Sequence, residues 1–329
     1  MVICRTPLRI SFFGGGTDYP IWYNDHGGAV ISATINKYSY ITARWLPPYF
    51  DYKHRIRYFD QEQVKTLDEI KHPSVRECAR YLEVRKGLEV VHNADVPARS
   101  GLGSSSTFTV GMLHTLHTLQ GRMPTKRQLA VEAIHVEQNM IGESVGSQDQ
   151  TAAAFGGLNL IRFNKSSAIE VDPIVLAEER SQRLQENLLL VFTGFSRTAS
   201  DIARLQIAAT PEKCAELNAM TELCQRAVAY LTDTKDSLDS FGEMLNEQWS
   251  IKKSLTGKIS NREVNEIYDI GIRNGALGGK LLGAGGGGFM LFYAPRSRHE
   301  NIKSALRNKL FIPVRFDYTG SKIIYYART

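Results

Sequence analysis

Cysteine is scarce in this 329-residue chain, with four residues at Cys4, Cys78, Cys214 and Cys224 and no Cys-x-x-Cys pair. That spacing argues against a disulfide scaffold and against a thiolate-held metal cluster, and it fits reduced thiols in a cytoplasm. No apolar run approaches the ~20 residues that a membrane-spanning helix requires. The opening "MVICRTPLRISFF" is apolar but carries Arg5 and Arg9 and lacks a small-residue cleavage site, so it is expected to be a first strand and not a signal peptide. Internal repeats and low-complexity tracts are also missing, which leaves out solenoids and disordered tails. Lysine plus arginine exceed aspartate plus glutamate by six, spread along the chain. With no basic stripe, a nucleic-acid partner is not expected, whereas an anionic small substrate would suit the balance.

The chain contains 43% hydrophobic and 22% charged residues, enough to bury the core of one large or two ordinary domains. β-Branched and aromatic residues predict strands over 2–13 and 28–46, and "EVVHNADV" (89–96) reads as another. Helical spacing predicts helices over 104–120 and 125–142 and a short one from Gln148 to Phe155, followed by the strand "GGLNLIRF". Charged, irregular sequence from 164 to 186 is a natural boundary, dividing the chain into 1–180 and 181–329. Beyond it come the strand "NLLLVFTG", helices over 198–209, 212–232, 236–256 and 260–274, and then strand, Gly-rich turn, strand, helix and two last strands, "FIPVRFDY" and "KIIYYAR". Strands and helices mix without strict alternation, which favours an α+β fold over a doubly wound sheet.

Three Gly-rich segments punctuate this pattern: "PLRISFFGGGTDYP" (7–20), "PARSGLGSSSTFTVGML" (97–113) and "GGKLLGAGGGGFMLFY" (278–293). The middle one opens a helix with four small residues, Gly103 to Ser106, where one cap would suffice. Small residues with free backbone N–H groups suit the close approach of a phosphate to a helix N-terminus. The segment has no Gly-Lys-Ser/Thr ending, so it is not a Walker loop. Gly283, Gly285 and Gly288 match Gly-x-Gly-x-x-Gly, but the strand-like "FMLFY" follows where a dinucleotide site needs a helix.

In this order the three segments resemble the signature motifs of the GHMP small-molecule kinases, with "PARSGLGSSS" matching the family's Pro-x-x-x-Gly-Leu-Gly-Ser-Ser. The likeness runs from Pro7 to Tyr293. It implies a ribosomal-protein-S5-like N-terminal domain, a ferredoxin-like C-terminal domain and a site between them that binds ATP and Mg²⁺. Within the family, "RISFFGGGTDYP" is most similar to sugar kinases acting on an anomeric hydroxyl. Heptose 7-phosphate is the expected substrate, in the supply of nucleotide-activated heptose, with an unphosphorylated sugar such as fucose, or a catalytically silent sugar and ATP sensor, as alternatives. Neither a membrane partner nor a nucleic acid is implied, and homo-oligomerisation is left open.

The resemblance assigns the ATP phosphates to Pro97, Arg99, Ser100, Gly101, Leu102, Gly103, Ser104, Ser105 and Ser106, and Mg²⁺ to Ser105 and Glu137. Glu132, on the same predicted helix as Glu137, is the lesser candidate, and either glutamate could be a solvated helix-face charge. Asp149, in "SVGSQDQ", corresponds to the carboxylate that takes or orients the proton of the attacking hydroxyl; by itself it could also be a helix cap. Arg9 matches the family's sugar-kinase arginine and is expected to pair with Asp149. Gly15, Gly16, Thr17 and Asp18 are expected at the sugar, though Thr17 and the neighbouring Tyr19 could be either contacts or packing. Galactokinases carry Glu-His where this chain has Gly15-Gly16, a departure that speaks against galactose. Arg197, in "GFSRTASD", is expected to hold a phosphate on the substrate, although the same residue would suit an exposed loop.

Overall fold

The computed structural model describes residues 1–194, 199–233 and 237–328. It opens with β1 (Val2–Phe13), α1 (Pro20–His26) and the long β2 (Gly28–Trp45), which pairs antiparallel with β1. A hairpin of β3 (His54–Arg57) and β4 (Gln61–Val64), then α2 (Pro73–Tyr81), lead into β5 (Leu88–Ala94). Next come α3 (Ser104–Leu119), α4 (Lys126–His135), α5 (Gln148–Phe155), β6 (Leu158–Phe163) and β7 (Ile169–Pro173).

β2 is long enough to serve two neighbours. Its first half pairs with β6 and its second half with β5, so the sheet forks around it. From Thr6 onward β1 is buried on both faces, so Arg9 and Ser11, which alternate with its apolar residues, are buried as well. α3 covers one side of β1, and the C-terminal half of the chain packs near its end, where Phe12 and Phe13 each meet Phe241 edge-on at 5.3 Å.

That half contains α6 (Glu178–Glu186), β8 (Leu188–Gly194), α7 (Ala199–Ala209), α8 (Cys214–Thr232), α9 (Asp239–Leu255), α10 (Arg262–Arg273), β9 (Gly278–Leu281), β10 (Gly288–Tyr293), α11 (His299–Ala305) and β11 (Leu310–Ile312). Its sheet has the antiparallel order β11-β8-β10-β9. The final strand, β12 (Lys322–Tyr326), leaves this lobe and pairs with β1.

The structure differs from the sequence expectations in several places. The helix expected over 125–142 changes character at Val136 and continues as a wider π-helical turn to Ile141, ending on Gly142. The irregular stretch 164–186 contains β7 and α6; β7 is legible only once β6 offers it an edge. "FIPVRFDY" is strand only at its start, because Phe316 then bridges to Ile35 as the chain returns to the first sheet. That return also means sheet membership does not follow a single cut at residue 180. Finally, α1, the β3–β4 hairpin and α2 were not anticipated: each is short, and its order depends on neighbours distant in sequence.

Candidate active site

α3 begins without a side-chain cap. Gly103 supplies the N-cap at φ 76°, a left-handed conformation that a residue with a Cβ adopts only under strain. The N–H of Thr107 is the first to close onto Gly103 O, at 2.9 Å. The N–H groups of Ser104, Ser105 and Ser106 therefore stand at the positive end of a 16-residue helix, an arrangement that attracts anions.

Arg9 lies directly beneath this helix start. Its backbone N–H donates to Leu102 O at 3.1 Å and its Nη1 to Gly101 O at 2.7 Å. Its Nε and Nη2 donate to Asp149 Oδ1 and Oδ2 at 2.7 and 2.6 Å, a two-bond fork. The Arg9 side chain is buried, while that of Asp149, in the first turn of α5, keeps 26% of its surface open. A Cβ on Gly103 would stand 3.2 Å from both Arg9 Cγ and Asp149 Oδ2. Loop, cation and carboxylate thus converge on one glycine.

Glu137 approaches α3 from the π-helical turn and is fully buried. Its Oε2 accepts from Ser106 Oγ at 2.8 Å and from Gln150 Nε2, while Oε1 has no partner among the described residues. Burial pushes its carboxyl up to about 7, against the opposing effect of the Thr109, Ser106 and Gln150 side chains. The hydroxyl on Glu137 is that of Ser106, while Ser105, the expected Mg²⁺ ligand, is exposed at the helix start. Glu132 is tied to His117 Nε2 at 2.7 Å and takes no part.

The first Gly-rich segment folds over the other end of the Arg9–Asp149 pair. Asp18 is buried, with Oδ1 accepting from Gly16 N–H at 2.9 Å and Oδ2 from Gln148 N–H at 3.4 Å. Burial raises its carboxyl above the usual range, with the charge of Asp149 adding to the effect. Gly15 sits over Ser11 and Gln148. Thr17 has the packing role, one of the two that its sequence left open. Its hydroxyl donates to Gly14 O and Ala29 O and accepts from Ala29 N–H, so its bonding capacity is spent within the loop and its side chain is wholly buried.

The third segment, which resembled a dinucleotide motif, is the turn between β9 and β10. It packs backbone to backbone on the phosphate-type loop, with Phe289 N–H donating to Ser100 O at 3.1 Å and a Cβ on Gly283 falling 2.7 Å from Gly101 Cα. Ser100 is used in this pairing, Leu102 is in the core, and Pro97 and Arg99 are exposed. The N–H of Arg99 donates to Ser104 Oγ at 3.3 Å. Arg197 lies outside the described residues.

Sequence reasoning missed two lysines. Lys280 is buried, with Nζ donating to Ser11 O and Phe12 O at 2.7 and 3.1 Å. Lys252 is also buried and donates to Gly283 O at 2.6 Å. A signal existed, since Gln248 and Lys252 interrupt the apolar stripe of α9 that contains Phe241, Leu245 and Leu255.

The family model for the GHMP kinases N terminal domain matches residues 71–157, and that for the GHMP kinases C terminal region matches 219–312, together more than half the chain. This chain is a GHMP kinase. The matched regions of this kinase contain the α3 start, Glu137 and Asp149 on one side and α9 with the β9–β10 turn on the other. It is 29% identical over 325 residues to the D-glycero-alpha-D-manno-heptose 7-phosphate kinase of Campylobacter jejuni, covering 96% of each chain. It is 25% identical to the bifunctional fucokinase/GDP-fucose pyrophosphorylase of Arabidopsis thaliana, covering 94% of this chain and 31% of that one. The fold is shared with the crystal structure of a D-glycero-D-manno-heptose 1-phosphate kinase from Bacteroides thetaiotaomicron at a TM-score of 0.79, 24% identity and full coverage of both chains.

Proposed function

We propose that this GHMP kinase transfers the γ-phosphoryl group of ATP to the anomeric hydroxyl of a sugar, D-glycero-D-manno-heptose 7-phosphate. The observation that carries this reading is the Arg9–Asp149 fork beneath the uncapped start of α3. Phosphoryl transfer rests on positioning and charge neutralisation more than on covalent help from the protein. The N–H groups of 104–106 hold the phosphates. Asp149, fixed in orientation by Arg9, accepts the proton of the attacking hydroxyl. A bond forms between the sugar O1 and the γ-phosphorus, the bond to the β–γ bridging oxygen breaks, and ADP leaves. Arg9 offsets charge on the group in transit. An anomeric hydroxyl is more acidic than an ordinary alcohol, so Asp149 needs no strongly raised basicity.

Mg²⁺ fits the residues present. Glu137 offers a carboxylate oxygen without a protein partner, and Ser106 a neighbouring hydroxyl. No cluster of three or more His, Cys, Asp or Glu side chains forms a metal cage among the described residues. One carboxylate beside substrate phosphates is the usual way Mg²⁺ is held. When bound, the ion would neutralise charge on the β- and γ-phosphates.

The heptose phosphate assignment draws on the Campylobacter relative, and the fucokinase relative marks the alternative of an unphosphorylated sugar. ATP turnover against heptose 7-phosphate, free heptose, fucose and galactose, with the product assigned by phosphorus NMR, tests it. Phosphate appearing at C1 of heptose 7-phosphate is the expected result. A preference for a free sugar replaces that substrate, and no turnover on any sugar leaves the sensor reading. Arg197→Ala should raise KM about 10- to 100-fold for heptose 7-phosphate and not for free heptose, the worth of one charge-assisted hydrogen bond to phosphate. Equal loss on both removes Arg197 from the phosphate.

A further inference from the structure

α9 carries two polar side chains, one turn apart, into the seam between the lobes. Gln248 is fully buried; its Oε1 accepts from Gly14 N–H at 3.1 Å and its Nε2 has no partner among the described residues. Lys252 is 5% exposed, and the bond to Gly283 O is its sole hydrogen bond among the described residues. Two of the three ammonium N–H groups are thus unused in a place where an apolar residue would pack at lower cost. The position is also specific. Gly283 lies against Gly101, and Gly101 O accepts from Arg9, which grips Asp149. The charges facing Lys252 are Asp18, foremost, then Arg9 and Asp149, with Lys280 on the adjacent β9.

We infer that Lys252 is a second cation of the transfer centre, reaching the phosphoryl group in transit from the C-terminal lobe while Arg9 reaches it from the N-terminal lobe. This rests on the kinase reading above. Lys252 forms and breaks no covalent bond; the hydroxyl proton goes to Asp149, and the ammonium stays protonated through the step. Its two unused N–H groups are the donors that the moving oxygens would take up.

The test uses the intact enzyme and the variants Lys252→Met and Lys252→Arg. Loss of one preorganised donor to developing charge should lower kcat by about 100- to 1,000-fold in Lys252→Met. KM for ATP and sugar should move less than about threefold, since the interaction belongs to the transition state. The melting temperature should hold or rise, because replacing a buried charge with a packed apolar side chain is commonly neutral or stabilising. Burial pushes the ammonium down to about 8. The cation is therefore present below that pH and lost above it, so wild-type kcat should fall on an alkaline limb near pH 8. That limb should vanish in Lys252→Met and move well above pH 8 in Lys252→Arg, which should also retain more activity than the Met variant. A kcat for Lys252→Met within about threefold of wild type overturns the inference. So does a loss that appears as a lower melting temperature and a higher KM for ATP with the alkaline limb unchanged, the signature of a prop for Gly283. A wild type inert toward every sugar is a failure of the kinase reading itself, and the inference falls with it.

Discussion

Asp149 and Glu137 flank the same helix start, and the protein treats them in opposite ways. Asp149 is gripped by a guanidinium through two bonds and keeps part of its surface open. Glu137 is sealed from solvent and held by the neutral donors of Ser106 and Gln150, and its Oε1 has no hydrogen-bond partner among the described residues. The first is paired before substrate arrives, so its geometry is fixed in advance. The second sits in surroundings that oppose its charge. In the proposed reaction the first would meet the hydroxyl and the second the metal.

The largest break in that comparison is Asp149→Asn, which keeps shape but removes proton acceptance. It should lower kcat by about 100- to 10,000-fold, the span of a general base, with ATP affinity by calorimetry nearly unchanged. The buried Arg9 loses its counter-charge, so the melting temperature should also drop. Near-normal turnover would remove Asp149 from the chemistry.

Gly103 is the next largest. Gly103→Val puts a branched Cβ 3.2 Å from Arg9 and Asp149 at φ 76°. ATP affinity should fall by at least about tenfold, and the strained backbone should cost on the order of 1–3 kcal/mol of stability, read by urea unfolding. The fold therefore does not escape harm, as a substitution in a plain loop would. Unaltered ATP affinity would show that phosphate does not approach here.

Glu137→Gln sharpens the contrast through pH. The folded carboxyl keeps its proton up to about 7, whereas in the unfolded chain it is lost near the ordinary 4.5. Stability from this group is therefore full below 4.5 and declines as pH rises to about 7. The glutamine variant avoids that decline. Without metal, it should melt several degrees higher than wild type at pH 8 and nearly equal at pH 5, by calorimetry. Its Mg²⁺ requirement in the assay should rise about tenfold, the loss of one charged ligand. A variant less stable than wild type at pH 8 would mean that the carboxylate is already compensated.

The smallest effect separates two neighbouring serines. Ser106→Ala should raise the Mg²⁺ requirement several-fold, roughly one hydrogen bond's worth, whereas Ser105→Ala should move it less. The reverse order would place the metal hydroxyl on Ser105, as the family resemblance implies.

Much of the site was legible because its residues are constrained locally. The small residues at Gly103 to Ser106 and the helical pattern behind them point to a phosphate-binding helix start without any knowledge of the rest of the chain. Arg9 and Asp149, 140 positions apart, could be joined beforehand only by family likeness. That Ser106 is the serine turned onto Glu137 was not legible, since adjacent positions on a helix differ by about 100° in direction and the packing below decides which is buried. Thr17 likewise looks available in sequence and is consumed by Gly14 and Ala29 in space.

What the sequence determined by itself is whatever follows from chain-local physics: apolar periods that specify most strands and helices, glycines where φ must be positive, and an uncapped helix start that attracts anions. Tertiary structure alone decided what depends on juxtaposition. The C-terminal strand returns to β1, the β9–β10 turn lies on the phosphate loop, and Lys252 is brought to Gly283 beside the Arg9–Asp149 pair. Burial and charge proximity are properties of the packed molecule. The same Glu or Lys is an ordinary surface charge on an isolated helix and a tuned group only when other elements close over it.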